Sequence, residues 1–87
     1  MTFLKDPQAE LDYTIDWSSW LGSDTITTSS WTVPTGLKKE SESNTTKIAT
    51  IWLSEGTADK EYTVTNKIVT AAGRTDERSI IIQVQER

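Results

Sequence analysis

The side chains able to do chemistry in this chain are carboxylates, hydroxyls, amines and guanidines, because the sequence contains no histidine and no cysteine. That excludes Ser/His/Asp and Cys/His constellations and the usual zinc sites, which need imidazole or thiolate. Acidic pairs remain. Asp12 and Asp16 lie on one face of an extended segment, where four residues at about 3.3 Å each separate them by about 13 Å. Paired glycosidase carboxylates stand roughly 5 to 9.5 Å apart, so Asp12 and Asp16 read as solvated outward residues, with a weak Ca2+ contact through loop oxygens as the alternative. Asn44-Thr45-Thr46 matches an N-glycosylation acceptor, a tripeptide that is frequent by chance, and reads as a turn. Gly73-Arg74-Thr75-Asp76 lacks the strand, glycine-rich loop and helix that cradle phosphate and reads as a hairpin connection. No catalytic group, cofactor or metal site is expected, and the chain is expected not to be an enzyme.

The elements that would position these residues are strands. Leu11, Tyr13, Ile15 and Trp17 alternate with Asp12, Thr14, Asp16 and Ser18, the period of a strand with one face on a core and one in water. Residues 25–33 are rich in β-formers, but Ile26, Trp31 and Val33 change parity around Thr28-Ser29-Ser30, which predicts a bulge there. Pro34-Thr35-Gly36 ends that strand. Residues 37–43 read as a polar edge strand guarded by Lys38, Lys39, Glu40 and Glu42. Residues 47–53 form the next strand, Tyr62, Val64, Asn66, Ile68 and Thr70 share one parity, and Ile80, Ile82 and Val84 share another. Helices fit poorly, since the segments between turn signals are short and follow a period of 2. Six or seven short strands at spacings of roughly 8 to 12 residues predict an all-β sandwich, immunoglobulin-like or fibronectin-like, of about seven strands. The length of 87 residues predicts one domain over residues 1–87.

Four tryptophans are many for so small a chain. Trp17 shares the parity of Leu11, Tyr13 and Ile15 and is expected in the core; Trp31 is expected to pack with Val33. In residues 47–53 the two faces compete: Ala49, Ile51 and Leu53 lie on one, Ile48, Thr50 and Trp52 on the other. Two readings stay open. Either Trp52 is a central core residue or half-buried under a loop, or the Ala49 face is inward. In the second case Ile48 and Trp52 form an exposed apolar patch, joined by Ile81 and by Trp20 in the adjoining turn. Such patches mark interaction sites, and tryptophan is enriched in interface hot spots. Sugar stacking on an exposed tryptophan is a third use.

The charge balance limits the partners. With 13 acidic against 9 basic residues and a net charge of −4, nucleic acid is not expected, since phosphate binding depends on Lys and Arg displacing counterions. No apolar run reaches the roughly 18 to 20 residues that cross a bilayer, and the start of the chain lacks the apolar stretch of a secretory signal. No membrane association is expected, and the chain is expected to stay in the cytoplasm until it is assembled. Without cysteine no disulfide supplements the core.

Several segments together resemble a known group. They are Asp6-Pro7, Leu11-Asp12-Tyr13-Thr14-Ile15-Asp16-Trp17, Asp24-Thr25-Ile26, Trp31-Thr32-Val33-Pro34-Thr35-Gly36-Leu37, Thr50-Ile51-Trp52-Leu53-Ser54-Glu55-Gly56-Thr57 and Gly73-Arg74-Thr75-Asp76-Glu77-Arg78-Ser79-Ile80. They are similar to small immunoglobulin-like structural proteins of tailed-phage virions, described as fibre-tail adaptors, over nearly the whole chain. The resemblance implies a virion component, made in the host cytoplasm, that contacts tail, head or fibre proteins or further copies of itself. It transfers a role and no mapped site. A capsid decoration protein and a carbohydrate-binding host-recognition module are the alternatives.

Overall fold

The computed structural model describes residues 2–86. Within them the alternating segments form strands β1 (Thr2–Lys5), β2 (Leu11–Asp16), β3 (Ile26–Thr32), β4 (Leu37–Asn44), β5 (Ile48–Glu55), β6 (Lys60–Thr70) and β7 (Thr75–Val84), with a one-turn helix α1 (Ser18–Leu21). They make two sheets, ordered β1-β7-β6-β3 and β2-β5-β4. Every neighbouring pair is antiparallel except β1 and β7, which run parallel. This is the seven-stranded immunoglobulin-type sandwich with its first strand carried across to the sheet of the last.

Period-2 sequence makes two-faced sheets, and the inward faces meet in one core. Ala49, Ile51 and Leu53 of β5 face Tyr62, Val64 and Ile68 of β6 and Ile80, Ile82 and Val84 of β7, and all are buried. At the start of β6 the Tyr62 hydroxyl accepts the Thr57 amide at 3.0 Å, the tyrosine corner of immunoglobulin domains. Gly36, at φ 104°, lies so close that a Cβ there would stand 3.1 Å from the same hydroxyl. The core has a polar hub as well. Asn66 is fully buried on β6; its Oδ1 accepts Trp17 Nε1 at 2.9 Å, and its Nδ2 donates to Ser29 Oγ and to the Ser30 carbonyl, each at 2.9 Å. Two buried donors, the Tyr13 hydroxyl and Trp31 Nε1, make no hydrogen bond among the described residues, at a cost of about 1–3 kcal/mol each.

Several expectations need correction. Residues 2–5, not foreseen as a strand, form β1, and Lys5 is wholly buried with its ammonium donating to the carbonyls of Asp6 and Glu55. Burial pushes the Lys5 pKa down, against the opposing pull of Asp6 and Glu55. The bulge of β3 falls at Thr27, between Ile26 and Thr28, slightly before the predicted place. Leu11 has the inward parity but remains 40% exposed, at the first position of the edge strand β2. Residues 18–21 turn into α1 between the sheets. The edge reading of residues 37–43 stands, since β4 borders the three-stranded sheet and is exposed after Leu37.

The connections β2–β3, β4–β5 and β6–β7 meet at one end and are tied together. Lys47 Nζ donates to the carbonyls of Gly22 and Asp24, each at 2.7 Å. Asp24 accepts the amides of Thr25 and Ala72 and the Nε of Arg74. The Thr70 hydroxyl above all, then those amides and Arg74, outweigh desolvation and bring the Asp24 pKa from 3.8 down to about 2.

Two outcomes follow for stability. Asn66→Leu leaves the Trp17 N–H and the Ser30 carbonyl without their partner and is expected to lower unfolding free energy by about 2–4 kcal/mol in urea denaturation. Asp24 is a depressed carboxylate, so its contribution is full above pH 3.8 and lost as pH falls through about 2. Asp24→Asn is therefore expected to melt below wild type at pH 7, with the gap closing between pH 4 and pH 2; a constant gap across that window would refute the assignment.

Candidate protein-interaction interface

The outward face of the β2-β5-β4 sheet is built by the parity that the core leaves over. Because Ala49, Ile51 and Leu53 turn inward with no exposure, Ile48, Thr50, Trp52 and Ser54 must turn outward from the central strand. In the ladder Asp12 stands opposite Trp52, Thr14 opposite Thr50 and Asp16 opposite Ile48. On the other side Ser41 pairs with Trp52 and Ser43 with Thr50. Trp52 is 39% exposed, which overturns the reading that made it a central core residue; Trp17 and Trp31 fill that role. Ile48 is half-buried on the same face of the same strand, four residues and about 13 Å away with Thr50 between them.

The four residues singled out as a patch do not come together. Ile81 pairs with Thr2 and Thr63 in the other sheet, and since Ile80 and Ile82 are buried it points outward on the opposite side of the sandwich. Parity could say that Ile81 faces out, but not from which sheet. Trp20 sits on α1 at the loop end, its ring edge-on to Trp17 at 5.4 Å and covered by the Arg74 guanidinium at 4.2 Å. Trp52 and Ile48 thus remain as the pair on one face.

That face is acidic. Asp12, Thr14 and Asp16 are exposed along β2, and the bulge of β4 places Glu40 where its carboxylate accepts the Ser54 hydroxyl. The Ser54 hydroxyl, more than Lys38, holds the Glu40 pKa below the ordinary range. Hydrogen bonds from Ser18 do the same for Asp16, helped by Arg78. Lys38, the basic residue of this face, is spent on Glu40 at 3.6 Å. The Asp12 side chain makes no hydrogen bond or ion pair among the described residues. Its charge adds to burial in raising the pKa of Tyr13 behind it. Nor does any group of three or more potential metal-ligating side chains converge among the described residues. The arrangement offers an exposed indole bordered by carboxylate and hydroxyls on a flat, hydrogen-bonded sheet.

The reading that turned Ala49 inward had put Trp52 and Ile48 together on the outward face of this strand. It missed Asp12 as the neighbour of Trp52, because register between β2 and β5 is a tertiary fact and Asp12 was weighed only against Asp16.

No curated protein matches the chain. The family described as podophage GP4 fiber-tail adaptor protein gp77 matches residues 5–83. That span takes in β2 to β6 whole, β7 as far as Gln83 and Lys5 of β1, and the chain belongs to this family of phage fibre-tail adaptor proteins.

Proposed function

We propose that the chain is a non-enzymatic virion protein that joins tail to fibre components, holding one of them on the outward face of the β2-β5-β4 sheet through Trp52 and Ile48. The observation that carries the reading is the exposure of Trp52 at the middle of that face. A tryptophan flanked on both sides by paired strands is held rigidly, so docking costs little side-chain entropy, and such residues carry most of the energy in protein interfaces. Residues 1–87 act as one folding unit and present the face as a rigid plate. Assembly takes place in the host cytoplasm and the product resides in the virion. Repetition around a tail would multiply a modest single contact.

The test is direct binding of the purified chain to the tail and fibre proteins of its own phage. Trp52→Ala is expected to weaken one of these interactions at least about tenfold, consistent with a hot spot of more than about 1.4 kcal/mol. The melting temperature should stay within a few degrees of wild type, since the side chain lies outside the core. Binding to assembled heads alone would assign the chain to capsid decoration, and binding to host glycans alone would assign it to host recognition; either result overturns the adaptor reading.

A further inference from the structure

This protein twice seats an arginine on a tryptophan with an aspartate beside it. Arg74 lies 4.2 Å over the Trp20 ring while its Nε meets Asp24 Oδ2 at 3.0 Å. Arg78 lies 4.3 Å over the Trp17 ring, with an Nη reaching the Asp16 carbonyl and its charge acting on the Asp16 carboxylate. In both cases a planar cation lies on an indole face with an aspartate nearby, in ion-pair contact for Arg74 and Asp24 and through the backbone carbonyl and longer-range attraction for Arg78 and Asp16, an arrangement suited to guanidinium.

Trp52 and Asp12 repeat two of the three parts. They are direct partners in the β2–β5 ladder, which places their Cβ atoms about 4.5–5.5 Å apart on the same face. Trp52 is exposed, and no arginine or lysine lies over its ring among the described residues. Lys38, the basic side chain that β4 sets on that face, is engaged by Glu40, and Arg78 acts on Asp16 at its far end and not on Asp12. Asp12 and Asp16 leave the face with an excess of negative charge. The opposite outer face differs, because there Lys67 stands directly across from Glu77.

The geometry points to an arginine side chain of a partner virion protein as the occupant of this face, its guanidinium stacked on Trp52 and paired with Asp12. The inference rests on the docking role proposed above and supplies the chemistry of the contact. A neutral sugar would stack on the indole and donate hydroxyls to Asp12 but would leave the negative charge of the face unbalanced, whereas a guanidinium stacks on Trp52 and neutralises Asp12 as well.

The test titrates isotope-labelled protein with N-acetyl-Gly-Arg-Gly-amide and follows the indole N–H signals, that of Trp52 being the one lost in Trp52→Phe. A saturable shift of the Trp52 signal is expected, absent when citrulline, the neutral isostere, replaces arginine. Asp12→Asn should weaken the affinity about three- to tenfold, and so should raising the salt to about 0.5 M. An unmoved Trp52 signal, an equal response to the citrulline peptide, or an Asp12→Asn protein that binds as wild type overturns the assignment, as does a response to host oligosaccharide without one to arginine. The same variants separate this from the docking role. Trp52→Ala losing the tail or fibre protein while Asp12→Asn keeps it refutes the arginine contact and leaves the docking face standing. If neither variant affects that binding, both readings fall.

Discussion

The hydrogen bond from Trp17 Nε1 to Asn66 Oδ1, buried at 2.9 Å, is the contact on which the rest of the architecture hangs. Trp17 directly follows β2 and continues its inward parity, its amide donating to the Lys47 carbonyl beside the same sheet, and Asn66 lies in the middle of β6, in the other. A bond between them fixes the spacing and offset of the two sheets in a way that apolar contacts, which are not directional, do not. Asn66 has a second obligation to β3 through Ser29 and Ser30, so the four-stranded sheet cannot shift without breaking it. From Trp17 the order spreads outward: Trp20 packs on its edge, Arg78 covers its face, and Arg74 and Asp24 lock the next connection.

Much of this was legible in the sequence where a period of 2 runs long enough to be read. Tyr62, Val64, Asn66, Ile68 and Thr70 all share one parity and all are buried, including the two polar ones that composition would have sent to the surface. What could not be read is what depends on distant partners. β1 has four residues, one of them a lysine, and exists because its backbone pairs in parallel with β7 at the far end of the chain. α1 is a single turn, too short to show a helical period. Lys5 offers no local sign of burial; only the carbonyls of Asp6 and Glu55 make it tolerable.

The candidate face shows the same division between parity and register. Two apolar sets competed in β5, and the set that went inward, Ala49, Ile51 and Leu53, packs without exposure against the buried Val64, Ile68, Ile80 and Ile82 in a core that also holds the indoles of Trp17 and Trp31. The outward turn of Ile48 and Trp52 then follows from alternation. That Asp12 rather than Thr14 stands beside Trp52, and that Ile81 is on another face altogether, depends on strand order and pairing.

An adaptor must resist joining its neighbours through the wrong surface, and here the guarding of strand edges bears on which surface is left to dock. β4 carries Lys38, Lys39, Glu40 and Glu42, and Lys39 and Glu42 pair along it at 3.2 Å, so adding a strand there would strip water from charges. β2 places Asp12 and Asp16 along the other edge of the same sheet. With both edges charged, the three-stranded sheet is a poor template for edge-to-edge growth while its flat outward side stays open. The carboxylates that protect β2 are the ones that border Trp52 and Ile48. A single set of residues therefore discourages main-chain pairing and surrounds the exposed indole with negative charge.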